Sequence, residues 1–256
     1  MSQEIKVISL VPSWTETLIE AGIRVVGRTR FCIHPEHLVQ SIPIVGGTKS
    51  LDMDACLSLD ANIIIFDREE NTADMVKQCE DAGFRWIATH VTDLKSCADG
   101  LNQLAKLLKN DQLKKWSEEY QKIFEQTDFK TFTKLSILEK MKIKGDINLL
   151  DMQKKSVSYV IWKQPYMIVT RETFIGAVLS KLGFEIVSCK GYSGNKYPVV
   201  EEQDLKKTDC FFSSEPFPFE KFYEAILHQG FTGILVDGEK LSWYGIRTLR
   251  FLKSLE

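Results

Sequence analysis

The residues of this chain best placed to do chemistry lie in one short run, Ser213-Ser214-Glu215-Pro216-Phe217-Pro218-Phe219. The run offers two hydroxyls and a carboxylate, and its prolines fix the backbone while removing N–H donors. A carboxylate held on so stiff a path suits a directional contact at the rim of a binding site or a plain structural turn. Acid/base catalysis by Glu215 is a third reading. Ser213 and Ser214 lack the G-x-S-x-G elbow of a nucleophile, and none of the four histidines falls in a recognised signature. A second candidate is residues 30–37, RFCIHPEH, where Cys32, His34 and His37 could converge on a metal ion. Their spacing matches no standard zinc pattern, and Pro35 biases the preceding residue toward extended chain. The plainer reading is a polar loop. The run GYSG at 191–194 lacks the Lys and Ser/Thr of a phosphate-binding loop.

An alternation of strands and helices must position these groups. Residues 6–11 read as a buried strand and 13–22 as a helix, with Ser13 and Glu16 in the form of a capping box and Gly22 as the stop. Strand patterns follow at 61–66 and 85–91, around a helix from residue 71 or 72 to 82. Residues 94–126 are helical in pattern, interrupted by Asn110-Asp111, both N-cap types. The alternation resumes with strands at 157–162, 209–214 and 232–237 and helices at 173–184, 219–230 and 242–255. This pattern predicts an α/β protein of two Rossmann-like lobes with parallel sheets. The expected divisions are an N-terminal lobe (1–110), a connecting helix (111–127), a Lys-rich boundary or insertion (128–156) and a C-terminal lobe (157–256).

Composition narrows the function classes. The chain has 256 residues, 44% hydrophobic and 27% charged, with a net charge of −2, which is not the balance of a general nucleic-acid binder. The first residues carry no basic, long-apolar or cleavage-site signature of a secretory signal, and no run approaches a membrane span. Read as a full product, the chain is expected in the cytoplasm. Its six cysteines are scattered without a C-x-x-C pair, which favours reduced, mostly buried thiols.

In open α/β sheets ligands bind outside the carboxyl ends of the strands. The connections there are rich in aromatics: Trp14, Phe31, Trp162, Tyr166, Tyr192, Tyr197, Phe217, Trp243 and Tyr244. Flat apolar walls with few polar groups suit a large, partly apolar small molecule. Ser13, Ser214 and Glu215 would supply directional contacts, His34 and Asp67 lie in the same strand-end loops, and Arg247 could pair with a carboxylate. Aromatics more often fill cores, and Trp162 and Phe217 could equally close strand-to-helix corners.

Four stretches, VISLVPSWTETL, YVIWKQPYM with the following TFI, SSEPFPF and SWYGIR, carry a resemblance in this order. Together they resemble the helical-backbone (class III) substrate-binding proteins of metal-chelate and vitamin B12 ABC importers, over nearly the whole chain apart from about 130–155. The resemblance implies two lobes joined by a stiff helix and an interlobe cleft for a corrinoid, haem or ferric siderophore. Phe31 falls where the B12-binding branch has a cleft tyrosine, and Asp67 and Tyr197 fall where it has two tryptophans. One aromatic is kept in kind, one is altered and one is replaced by a carboxylate. The two glutamates that importer-binding members present to the transporter correspond to Ala73 and Gln203, with Glu70, Asp74, Glu202 and Asp204 close by. The expectation is a non-catalytic binder of a corrinoid or other metal chelate that has lost transporter docking, with no nucleic-acid partner. The alternatives are an enzyme on the same scaffold, using Glu215, His34 or Asp67, and a regulatory or scaffold protein with a closed cleft.

Overall fold

The computed structural model describes residues 4–126, 133–151, 156–187 and 194–255. Tyr192, Cys189 and the first three residues of GYSG lie outside the described residues. The chain divides into two units, residues 1–123 with 243–249, and residues 124–242 with 250–256.

In the first unit the order is β1 (Lys6–Ser9), α1 (Pro12–Glu20), β2 (Arg24–Arg28), α2 (Glu36–Val39), α3 (Met53–Ser58), β3 (Ile63–Asp67), α4 (Ala73–Asp81), β4 (Trp86–Thr89), α5 (Leu94–Leu108) and α6 (Asp111–Glu125). The strands form a parallel sheet in the order β2-β1-β3-β4. All five residues of β3 are buried, as an apolar run in a parallel sheet should be. One core cluster packs Ile8, Leu10, Ile64 and Phe66 against Val45, Cys56, Met75 and Cys79. The break between α5 and α6 falls at Asn110, whose Oδ1 accepts from Leu113 N–H.

Ser13 and Glu16 do not form the expected capping box. Helix α1 starts one residue earlier, with Pro12 in its first turn and Val11 at the N-cap, and no side chain caps it. Glu16 is thereby placed inside the helix, with its carboxylate on Arg247. The capping box of this unit is Asp93 with Ser96, at the start of α5.

The second unit carries α7 (Lys134–Met141), β5 (Lys142–Lys144), β6 (Ser156–Trp162), β7 (Met167–Ile168), α8 (Phe174–Lys181), β8 (Glu185–Ile186), α9 (Glu202–Leu205), β9 (Asp209–Ser213), α10 (Tyr223–His228), β10 (Thr232–Val236), α11 (Gly238–Ser242) and α12 (Ile246–Lys253), the last shared with the first unit. The sheet runs β5-β10-β9-β6-β7, with β8 also on β6. Its centre is parallel, but β5 and β7 pair antiparallel with β10 and β6. The Lys-rich stretch read as a boundary therefore supplies a helix and an outer strand to this sheet. Phe212, Phe219, Tyr223, Phe231 and Leu235 fill one core cluster.

The expected helix over 242–255 begins only at Ile246, as α12; the separate α11 ends at Ser242, and between the two the chain turns at Gly245. Its φ is +80°, and a Cβ there would strike the Thr17 hydroxyl, so this position requires glycine. The hydroxyl is committed, since Thr17 Oγ1 accepts from Ile246 N–H at 3.0 Å. Tyr120 O–H donates to the Gly245 carbonyl at 2.8 Å, fixing the same turn from α6.

Candidate functional site

In the first unit the strand-end residues are committed to one another. Trp14 has no exposed surface; its indole N–H donates to Thr89 Oγ1 at 2.8 Å and its ring meets Tyr244 edge-on at 4.9 Å. The expected aromatic wall at Trp14 is thus core, because the first turn of α1 aims this side chain under β4 and the residues after α11. Asp67 is also buried. Its carboxylate accepts from Thr89 Oγ1 at 2.6 Å and from the N–H groups of Glu69 and Val91, tying together the ends of β3 and β4. Burial raises the Asp67 pKa above the ordinary carboxylate value, although those donors and nearby His90 pull it down.

Arg247 already has a carboxylate. Its Nε and Nη2 hold the two oxygens of Glu16 at 2.8 Å each, a bidentate pair with the Glu16 side chain only 6% exposed. The guanidinium also lies over the Trp243 ring, 5.3 Å from its centroid, and His34 meets that ring edge-on at 5.1 Å. Ser13 is buried and its carbonyl accepts from Thr17 Oγ1. Trp243, His34 and Arg247 are brought together, whereas Phe31 stands out at 48% exposure with Arg30 over its ring. Cys32 is fully buried: Thr15 donates to its sulfur at 3.0 Å, Thr29 lies at 3.2 Å, and burial raises its pKa. Among the described residues no group of three His, Cys, Asp or Glu side chains is arranged to hold a metal ion.

In the second unit a few aromatics near the strand ends stay half outside. At the carboxyl end of β6, Trp162 is 40% exposed and meets Phe217 edge-on at 5.6 Å. Phe217 continues to Phe222 at 5.4 Å, itself 41% exposed, and Lys163 Nζ stands over the Phe222 ring at 5.9 Å. A 3-10 turn over residues 219–222 reaches Phe222, so no strand or helix period links it to Phe217 in the sequence. Tyr166 is buried against Phe231, and burial pushes its phenol to about 12. Tyr197 is 38% exposed.

The Ser213–Glu215 turn is held from several sides. Tyr159 O–H donates to Ser213 Oγ at 3.1 Å, Gly238 N–H donates to Ser214 Oγ at 3.0 Å, and Ser242 O–H donates to Glu215 Oε1 at 2.5 Å. Glu215 thus ties the turn to the end of α11, and Ser214 anchors the start of that helix. Sequence reasoning named Glu215, Arg247 and Asp67 but did not pair them with Ser242, Glu16 and Thr89. No local spacing links residues 27, 231 and 22 positions apart.

Ala73 is exposed at the start of α4 and Gln203 is exposed on α9. The acids beside Gln203 are in exposed pairs, Glu202 with Lys206 at 2.6 Å and Asp204 with Lys207 at 2.7 Å. No helix of the described residues is long and apolar enough to cross a membrane.

No family model matches the chain, and no curated protein matches it in sequence. Solved structures do match its fold. The periplasmic vitamin B12 binding protein BtuF of Vibrio cholerae is 16% identical over 98% of this chain and 94% of its own, with a TM-score of 0.69. The periplasmic heme-binding protein RhuT from Roseiflexus sp. RS-1 is 15% identical over 98% and 96%, with a TM-score of 0.73. A periplasmic heme binding protein from Pseudomonas aeruginosa is 20% identical over 98% and 91%, with a TM-score of 0.70. The chain is an α/β protein. More narrowly, it has the fold of the periplasmic B12- and heme-binding proteins, as the sequence resemblance implied.

Proposed function

We propose that this protein binds a small, partly flat ligand without chemically changing it, and that the ligand is a corrinoid or another metal chelate. The observation that carries the reading is the half-exposed aromatic surface of Trp162, Phe217 and Phe222, built at strand ends on a fold shared with B12- and heme-binding proteins. Aromatic faces stack on flat rings at low conformational cost, and Tyr197 is a further half-exposed aromatic of the same unit. Glu215 acts as a positioned acceptor: its bond from Ser242 orients the carboxylate. Docking to an importer through the family's two glutamates is lost in this reading, since Ala73 and Gln203 carry no charge.

Absorbance titration with cobalamin, cobinamide, haemin and ferric siderophores tests the reading. Saturable binding of one of them, weakened about tenfold by removing one stacking ring, supports it, a loss in line with an aromatic pair worth up to roughly 1.5 kcal/mol. No saturable response to any of the four overturns the chelate assignment.

A further inference from the structure

Between α4 and β4 lies a groove of about 370 Å³ that the strand-end surface does not use. Phe66, Ala73, Val76, Trp86 and Ala88 make its apolar lining. Trp86 and Ala88 are two apart on β4 and share a face, and Ala73 and Val76 are one turn apart on α4. Strand β4 ends the sheet, and Trp86 keeps 39% of its surface exposed. The groove is thus walled by carbon yet open to solvent.

Its polar lining is Asp67, Arg68, Asn71 and Thr72, and three of these are committed inside the fold. Asn71 donates to the Leu10 and Thr48 carbonyls and accepts from Asp67 N–H. The Asp67 carboxylate accepts from Thr89, Glu69 and Val91. Thr72 Oγ1 caps α4 through Met75 N–H. Arg68 differs: among the described residues its guanidinium makes no hydrogen bond or ion pair. A guanidinium offers a planar fork of donors that matches a carboxylate with two bonds, and it is weakly hydrated, so pairing it costs little.

We infer that this groove binds a small amphipathic carboxylate, with its apolar body against Trp86 and Val76 and its carboxylate on Arg68. The volume lies at the small end of small-molecule sites, roughly 300–1,000 Å³, and one uncommitted cation fits one anionic group. The site does not depend on the ligand proposed above.

The test is titration of the full chain with 4-phenylbutyrate and, separately, with 4-phenylbutyramide, its uncharged counterpart. Proton–nitrogen NMR reads the Trp86 indole N–H and the Ala88 amide. Saturable shifts confined to the groove are expected, with the acid binding at least tenfold more tightly than the amide. Arg68→Gln, a change at an exposed side chain, should lower the acid to the level of the amide and leave the amide unchanged. Val76→Phe should block both by filling the groove. Equal affinity for acid and amide, shifts centred elsewhere, no saturation, or an Arg68→Gln variant that keeps the preference would each overturn the assignment.

Discussion

The strand-end loops of the two units use the same residue types in opposite ways. In the first unit, Trp14, Asp67, Glu16 and Arg247 are turned inward and satisfied by one another or by Thr89 and backbone N–H groups. In the second, Trp162, Phe217 and Phe222 form a surface whose outer faces still meet solvent. A buried tryptophan needs a partner for its N–H, and Thr89 provides one for Trp14; Trp162, left half outside, can use water. Residue type at a strand end therefore does not by itself mark a ligand contact. The polar and edge partners available within the unit decide whether the side chain becomes scaffold or surface.

The largest expected effect lies on the inward side. Trp14→Ala should cost about 3–5 kcal/mol of unfolding free energy, by loss of buried area and the cavity it leaves. Urea denaturation measures it, and a loss below about 1 kcal/mol would mean that Trp14 is not core. Arg247→Ala follows, because it strands an almost fully buried carboxylate; a loss of about 3 kcal/mol is expected. Adding Glu16→Gln to that variant should recover part of the loss, and additive losses in the double-mutant cycle would contradict the bidentate pair.

On the outward side the balance between stability and binding reverses. Trp162→Ala should cost only about 1 kcal/mol of stability, the scale of one edge-on aromatic contact, while weakening any stacked ligand about tenfold. A stability loss as large as that of Trp14→Ala would erase the distinction between the two units.

The smallest effect concerns Asp67 and pH. Burial places its folded-state pKa above the ordinary 3.8. Its contribution to stability is therefore fully present below the unfolded-state pKa and is lost as pH rises through the raised folded-state value. The stability of the wild type relative to Asp67→Asn should be greatest at the acid end of that window and decline upward. Paired urea midpoints across the window check it, and a difference that grows with pH would show that the hydrogen bonds outweigh burial.

Much of the fold was legible in the sequence because the signals are local. The apolar runs around residues 63–67 and 209–213, the helical period of 94–125 and the break at Asn110 all appear as elements close to where the pattern puts them. Outer strands β5 and β7 were not legible, because three and two residues carry no period and gain their strand form by pairing with β10 and β6. Of the site, the stretches were legible but their orientation was not. Glu16 has the spacing of a capping box, yet Pro12 takes the first turn and a distant guanidinium takes the carboxylate.

The sequence by itself determined the α/β alternation, which rests on short-range patterns of apolar, turn and capping residues, and it carried the resemblance in four short motifs. Tertiary structure alone decided which strand-end groups are spent. Trp14 finding Thr89, Arg247 finding Glu16 and Glu215 finding Ser242 are meetings of residues far apart along the chain. Desolvation and hydrogen bonding act only on groups that folding brings together, and they make a buried tryptophan scaffold while an identical residue at the end of β6 remains exposed.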